Sequence, residues 1–356
     1  MGTDQGPQHS WTRAVRVALS ATLLVVLIAF VLPTVTGSDW RSTMATLSFV
    51  TGAQMAALTA LWLVGLWAFT FVMAASLPGL RKSQALALLF AGSAVSNLLP
   101  AGGAVGVAVT WSMMRKYGHS HSAIGLFTVV TGLWHNLARL ALPAAGLGAL
   151  LLVGSQVDES VRTAAVAGIV VTVAVLGLVV AALLHDGVAR WLISVITRAS
   201  VRLARLFRRS APRGLPGLLA DLRGRARELL RDGRVPLVGG MLVYLVLQGV
   251  LFWGCLAVVG NDLGWAQVTA GYATGRMLTL VILTPGGAGF AETGTAAVLV
   301  ALGGDPTATM AGVLLFSFFT FALEIPGGAL AYLWHLRQTR PGGPWSPRPQ
   351  GAARAG

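Results

Sequence analysis

Acidic residues are the scarcest chemistry in this chain: 12 Asp and Glu stand against 26 Lys and Arg in 356 residues, leaving a net charge of +14. Lysine is nearly absent too, with Lys82 and Lys116 the only two, so arginine carries the basic charge, as in a GC-rich bacterial genome. Charged residues of both signs reach only 11%. A soluble domain carries roughly 25%, so a water-soluble fold is excluded. The single cysteine, Cys255, lies inside an apolar run and excludes a disulfide or a thiolate zinc site within one chain. Short segments of alternating polarity, the mark of a membrane β-barrel, are missing. So are a Ser-His-Asp grouping and a histidine cluster, and His119 and His121 have no acidic neighbour. No metal, cofactor or catalytic residue is expected, and the chain is not read as an enzyme.

Apolar residues, by contrast, make up 55% of the sequence. They gather at about 17–36, 53–75, 122–152, 160–184, 236–259 and 307–335. Each run is long enough to cross a hydrocarbon core, which takes about 20 helical residues. The fold class is therefore an all-α polytopic membrane protein with about six full spans. The first run exceeds a signal-peptide core and no small-residue cleavage site closes it, so it is read as an uncleaved anchor. Lys and Arg collect on the cytoplasmic side of membranes. Arg13 and Arg16, Arg81-Lys82, Arg115-Lys116, the twelve arginines from Asp186 to Arg234, and Arg337 with Arg340 all fall on one side; only Arg41 and Arg162 do not. Both termini are thus expected in the cytoplasm, with the protein in a bacterial plasma membrane. The same loops account for the basic charge without nucleic acid as a partner. Residues 1–12 and 340–356 are read as disordered. The basic insert 186–235 reads as an amphipathic helix on an anionic leaflet, with a second short helix behind it.

Two Pro-Gly clusters, about 185 residues apart, break apolar segments: Leu98-Leu99-Pro100-Ala101-Gly102-Gly103 and Leu283-Thr284-Pro285-Gly286-Gly287-Ala288-Gly289. Pro143 follows Pro100 by 43 residues and Pro326 follows Pro285 by 41, each leading a run of small residues. The arms 84–98 and 103–115 hold 15 and 13 residues, about 20 Å of helix, and basic pairs flank them. They are expected to enter and return from inside as a re-entrant hairpin. The second pair, about 265–283 and 288–302, is flanked by Asp262 and Asp305 and is expected to enter from outside. Its first arm, at 19 residues, leaves re-entrant and fully spanning courses both open. The unit span–hairpin–span thus runs over 53–150 and again, inverted, over 236–335, within a transmembrane region 13–336. Interrupted segments paired in inverted-topology repeats are the sequence mark of a transport site.

From about 17 to 336 the chain resembles the flippase-like transmembrane domain of the lysylphosphatidylglycerol synthase family. Pro285-Gly286-Gly287-Ala288-Gly289-Phe290-Ala291-Glu292 is similar to the family's Pro-Gly-Gly-x-Gly-x-x-Glu. Ser96-Asn97-Leu98-Leu99-Pro100 is similar to the Asn-x-x-Pro that opens its first broken segment. Many members follow that first Pro with Arg and then Gly-Glu; residues 101–105 here carry neither charge. Members often place an Arg two turns before the last Pro, where this chain has Phe319. The resemblance implies a flippase moving an anionic phospholipid or a polyprenyl-phosphate-linked headgroup between leaflets. No aminoacyl-transfer domain follows residue 336, so synthase activity is not implied. A small-solute or ion transporter on the same repeats is the alternative, and would call for more polar spans. A membrane-embedded lipid-modifying enzyme ranks third. The partners expected are membrane lipids; a second copy of the chain and a separate lipid-synthesising enzyme are both compatible.

The candidate substrate-binding residues are Asn97, Pro100, Gly102 and Gly103 at the first tip and Pro285, Gly286, Gly287 and Gly289 at the second. Arg139, Arg276, Glu292 and Glu324 join them as charges within apolar runs, where each costs about 3 kcal/mol at a helix centre. Glycines at a tip let backbone approach a ligand, and a helix leaving a tip presents free N–H groups suited to phosphate. Equally, small residues serve packing throughout membrane bundles. Glu292 is read either as a cap on its half-helix or as a proton carrier. Glu324 is read as a partner for backbone freed by Pro326 or for an arginine, and each arginine as a partner for a Glu or a lipid phosphate. His135 and Asn136 are placed to join them. Bulky residues at Gly103 or Gly287 are expected to abolish translocation.

Overall fold

The computed structural model describes residues 7–99, 102–153, 159–206, 214–281, 283–340 and 343–345. All regular structure among them is helical. The chain opens with α1 (Pro7–Val26), which passes through a π turn (Leu27–Val31) into α2 (Leu32–Thr36). A short helix, α3 (Trp40–Ser48), precedes the long α4 (Gly52–Ser76). Next come α5 (Lys82–Leu98), α6 (Gly102–Lys116), α7 (His121–Leu152) and α8 (Glu159–Leu184). The basic insert forms α9 (Asp186–Leu206) and α10 (Leu215–Arg234). A π turn (Val235–Gly239) leads into α11 (Gly240–Ala257), followed by α12 (Trp265–Leu278) and a 3-10 turn at Pro285–Gly287. The chain closes with α13 (Phe290–Ala301), α14 (Pro306–Ser317), a π turn (Phe318–Ala322) and α15 (Glu324–Gln338).

Five stretches are long and apolar enough to cross a membrane: Val17–Thr36, Gly52–Ser76, His121–Leu152, Val235–Ala257 and Pro306–Gln338. A sixth qualifies only as the pair Ile169–Leu184 and Asp186–Arg202, which bends by 114°. The protein is therefore an all-α multi-pass membrane protein with five to six spanning helices. The bend is held by Arg223 of α10, whose Nε donates to Ala182 O at 2.7 Å while its Nη2 pairs with Asp186 at 2.7 Å.

Three features go beyond the sequence reading. Helix α1 already begins at Pro7, inside the segment 1–12 read as disordered; proline suits a first helical turn, where its missing N–H has no intrahelical acceptor to satisfy. Trp345, in the tail read as disordered, is 6% exposed. Its indole packs against Trp334 and Tyr117, with ring centroids 4.6 and 5.5 Å away, because so large an apolar surface favours any available cover. The short helix α3 had no counterpart in the sequence reading, although Asp39 is a regular N-cap that accepts from Ser42 N at 2.8 Å.

The arms of the second broken segment are shorter than the sequence implied, and those of the first are longer. Helix α12 stops at Leu278 after 14 residues and α13 holds 12, against 17 and 15 for α5 and α6. At 1.5 Å per residue the four arms rise only about 18 to 26 Å, less than the roughly 30 Å hydrocarbon core. Next to the proline of the second break, Thr284 is held extended at φ −115° and ψ 160°, as a residue before proline prefers. Gly286, Gly287 and Gly289 then take φ of 60°, 76° and 86°, left-handed values that side chains resist.

Within each pair the arms run antiparallel on small residues. Gly106 of α6 faces Ser96 and Gly92 of α5, and Gly271 and Gly275 of α12 face Leu299 and Thr295 of α13. Between the halves the packing is exchanged. Arm α5 lies along α15, arm α12 lies along α7, and α4 packs against α11. The small residues behind Pro143 and Pro326 make these exchanges possible: Gly146 seats Ala270 and Ala273, and Gly328 seats Phe90 and Ala94. A Cβ on Gly328 would lie 2.2 Å from Ala94 Cβ and 2.5 Å from Phe90 O. Gly328→Ala is therefore expected to cost about 1–3 kcal/mol by overpacking, whereas Gly148→Ala, with nothing within 4 Å of its added carbon, should be neutral. Thermal unfolding of the two variants in detergent checks this.

Candidate functional site

A cavity of about 510 Å³ opens where the two broken segments meet α7, α11 and α15. Ser93, Ser96 and Asn97 of α5 and Gly102 and Gly103 of α6 form one wall; Thr284, Gly286 and Gly287 of the second tip form another. Helix α7 contributes His135, Asn136 and Arg139, and α11 contributes Tyr244 and Gln248. Arg276, Thr279, Thr320, Phe321 and Glu324 complete the surface used below. Of the residues singled out in the sequence, Asn97, Gly102, Gly103, Arg139, Arg276, Gly286, Gly287 and Glu324 thus share one cavity, together with His135 and Asn136.

Asn97 is the junction. Its Nδ2 donates to Glu324 Oε2 at 3.1 Å and to Thr320 O at 3.2 Å. Its Oδ1 abuts Gly286, where a Cβ would come within 2.9 Å. One side chain of the first tip therefore contacts the second tip, and the π turn ahead of Pro326 receives a donor. Glu324 accepts from this amide, and Arg276 attracts it from beyond ion-pair distance. Arg276 lies over the Tyr272 ring, 5.9 Å from its centroid. It also sits within electrostatic reach of Tyr244, Glu324 and Arg139. None of the ion pairs among the described residues includes Arg139, Arg276, Glu292 or Glu324. Three buried atoms of cavity-lining residues have no hydrogen-bond partner among the described residues: Arg139 Nε, Gln248 Oε1 and Thr284 Oγ1.

The remaining candidates lie elsewhere. Pro100 is outside the described residues. Pro285 is buried behind the tip, and Gly289 packs against Leu24 and Leu27 of the first span. Glu292 is 3% exposed and caps its own helix: Oε2 accepts from Gly289 N and Oε1 from the Ser317 hydroxyl. It faces a separate cavity of about 30 Å³, which Arg276 also borders. At the start of α13 the Glu292 carboxylate therefore already accepts from Gly289 N, where a phosphate was expected. Gly287 also reads differently from Gly103. A Cβ on Gly287 would meet Thr279 Cα at 2.6 Å, whereas one on Gly103 meets nothing within 4 Å. Gly287 serves the turn, and Gly103 is the open one.

Residues 14–328 match the family model described as lysylphosphatidylglycerol synthase TM region. The chain belongs to this family. No curated protein matches it. Membership gives the chain a membrane, lipid-related setting. The departure at Phe319 from the pattern of lysylphosphatidylglycerol synthase transmembrane regions has a local account: this ring is fully buried, 6.2 Å from Trp62. A charge there would enter an apolar cluster, and the cavity's cations come instead from α7 and α12. Sequence reasoning missed Tyr244 and Gln248, although a polar pair at i, i+4 in an otherwise apolar span was the available signal; Gln248 Nε2 donates to Tyr244 Oη at 3.2 Å.

Because its two oxygens hold a helix N-terminus and a neighbouring span, Glu292→Ala is expected to destabilise the fold by about 1–3 kcal/mol. Chemical unfolding in detergent measures this, and an unchanged midpoint would mean that the cap carries no weight.

Proposed function

We propose that this protein moves an anionic lipid, a phospholipid or a polyprenyl-phosphate-linked headgroup, between the leaflets of a bacterial plasma membrane. The observation that carries the reading is the pair Arg139 and Arg276 facing one cavity without a carboxylate in ion-pair contact. Two desolvated cations are costly when unmatched. A guanidinium binds a phosphate in fork geometry, so a lipid phosphate offsets the cost. Asn97 and Glu324 fix the wall opposite, and the open backbone at Gly103, on the first turn of α6, adds N–H groups of the kind that favour anions.

Transport further requires that the site face either leaflet in turn. In the proposed arrangement the arms are re-entrant hairpins, α5–α6 entering from the cytoplasm and α12–α13 from outside, in inverted repeats at 53–150 and 236–335. Two features favour it: arms too short to cross, and an exchange of partners, α5 with α15 and α12 with α7, that a pseudo-twofold axis in the membrane plane would generate. Both termini are cytoplasmic in this topology, and the cavity binds rather than reacts. The arginine-rich helices α9 and α10 lie against the anionic inner leaflet.

The test is leaflet exchange of fluorescent phosphatidylglycerol in vesicles holding the purified protein. Arg139→Gln and Arg276→Gln are each expected to slow exchange roughly tenfold to a hundredfold, the loss of one charge-assisted contact. Gly103→Leu is expected to abolish exchange without lowering stability, because its side chain enters open space. Full exchange by both arginine variants would remove the anion site from the mechanism.

A further inference from the structure

The charge of the cavity points to the kind of headgroup it takes. Among the described residues on its wall, Arg139 and Arg276 supply two positive charges and Glu324 one negative. With histidine neutral, one positive charge remains, the complement of a single phosphodiester. The carboxylate already receives the Asn97 amide. A headgroup carrying an ammonium would therefore place a third cation beside two guanidiniums, with Glu324 the one carboxylate among the described lining residues to oppose all three, in a setting where such repulsion is poorly screened.

The uncharged part of the wall asks for something else. Gln248 is 2% exposed and lines the cavity. Its amide nitrogen is engaged by Tyr244, and its Oε1 has no donor. Thr284, 1% exposed, presents an unpartnered hydroxyl on the same surface. A buried acceptor without a donor is matched by a ligand hydroxyl, as on glycerol or a sugar.

Resting on the lipid-transport reading above, we infer that this site selects a lipid whose headgroup is a singly charged phosphodiester bearing neutral hydroxyls, and that it discriminates against zwitterionic and cationic headgroups. Arg139 and Arg276 hold the phosphate, and Gln248 accepts from a headgroup hydroxyl.

The experiment uses the full chain in phosphatidylcholine vesicles carrying trace tail-labelled phosphatidylglycerol, phosphatidylethanolamine or lysylphosphatidylglycerol. Phosphatidylglycerol is expected to exchange at least roughly tenfold faster than the two amine lipids. Gln248→Glu, which keeps the shape but brings the cavity to neutrality, is expected to lower that ratio roughly tenfold by speeding the amine lipids. Equal exchange of all three lipids by the unaltered protein would overturn the selectivity while leaving transport standing. Exchange of none would sink the transport reading, and equilibrium binding of the same lipids to the detergent-solubilised protein then decides the selectivity. Preferential binding of phosphatidylglycerol upholds it; equal or no binding overturns it. Glycerophosphoglycerol, the same headgroup without acyl chains, is expected to bind more weakly than the lipid. Binding as tight as the lipid's would overturn the lipid assignment and give the site to a soluble phosphodiester.

Discussion

A helix that ends inside a bilayer leaves backbone N–H and C=O groups where no water can meet them, and in the proposed topology this protein breaks two helices there. Everything around the cavity follows from satisfying those ends. Glu292 accepts from Gly289 N at the second break, and Asn97, at the end of α5, donates to the Thr320 carbonyl in the π turn before α15. The two solutions differ. Glu292 closes the second break locally, with Ser317 as its other partner. Asn97 reaches across to the other half of the chain, and in doing so brings Glu324 to the cavity wall.

Short arms impose a second requirement, because a half-length helix buries little surface on its own. The first arm of each pair, α5 or α12, therefore lies in close contact with a helix of the opposite half, and glycine or alanine at the crossing lets the backbones approach. Gly328 and Gly146 occupy corresponding places, two and three residues behind a proline. The same exchange leaves the tips side by side and the arginines of α7 and α12 facing a common space. Binding chemistry here is a consequence of how the breaks are packed.

The sequence reading recovered most of the fold because its signals are local. An apolar run of about 20 residues has one physical meaning in a chain this poor in charge, and the Pro-Gly tips carry backbone requirements that few other residues meet. Boundaries were harder. Residues 279–283, Thr-Leu-Val-Ile-Leu, are as apolar as the helix before them, so hydropathy does not mark the end of α12 at Leu278. The candidate site was legible as a set of residues but not as an arrangement. Arg139 and Arg276 stand out as costly charges in sequence, yet nothing local says that they converge, or that the carboxylates would be engaged by Asn97 and Gly289 instead. Glu292 was read as both cap and proton carrier; its spacing three residues after Gly289 suits the cap, and the fold uses it there. Gln248 was overlooked because a lone amide in a span weighs little until its oxygen is found buried and unmatched.

The central claim is that the two chain breaks meet, with Asn97 of the first against Gly286 of the second. Cys255 is the only native cysteine, so a Cys255→Ser background allows a direct measurement: introduce Asn97→Cys with Gly286→Cys, oxidise in membranes, and search for the linked peptides by mass spectrometry. The account predicts a disulfide in most molecules, whereas each single substitution gives none. A pair that stays fully reduced, in protein that is folded and membrane-inserted, would place the tips apart and contradict the account.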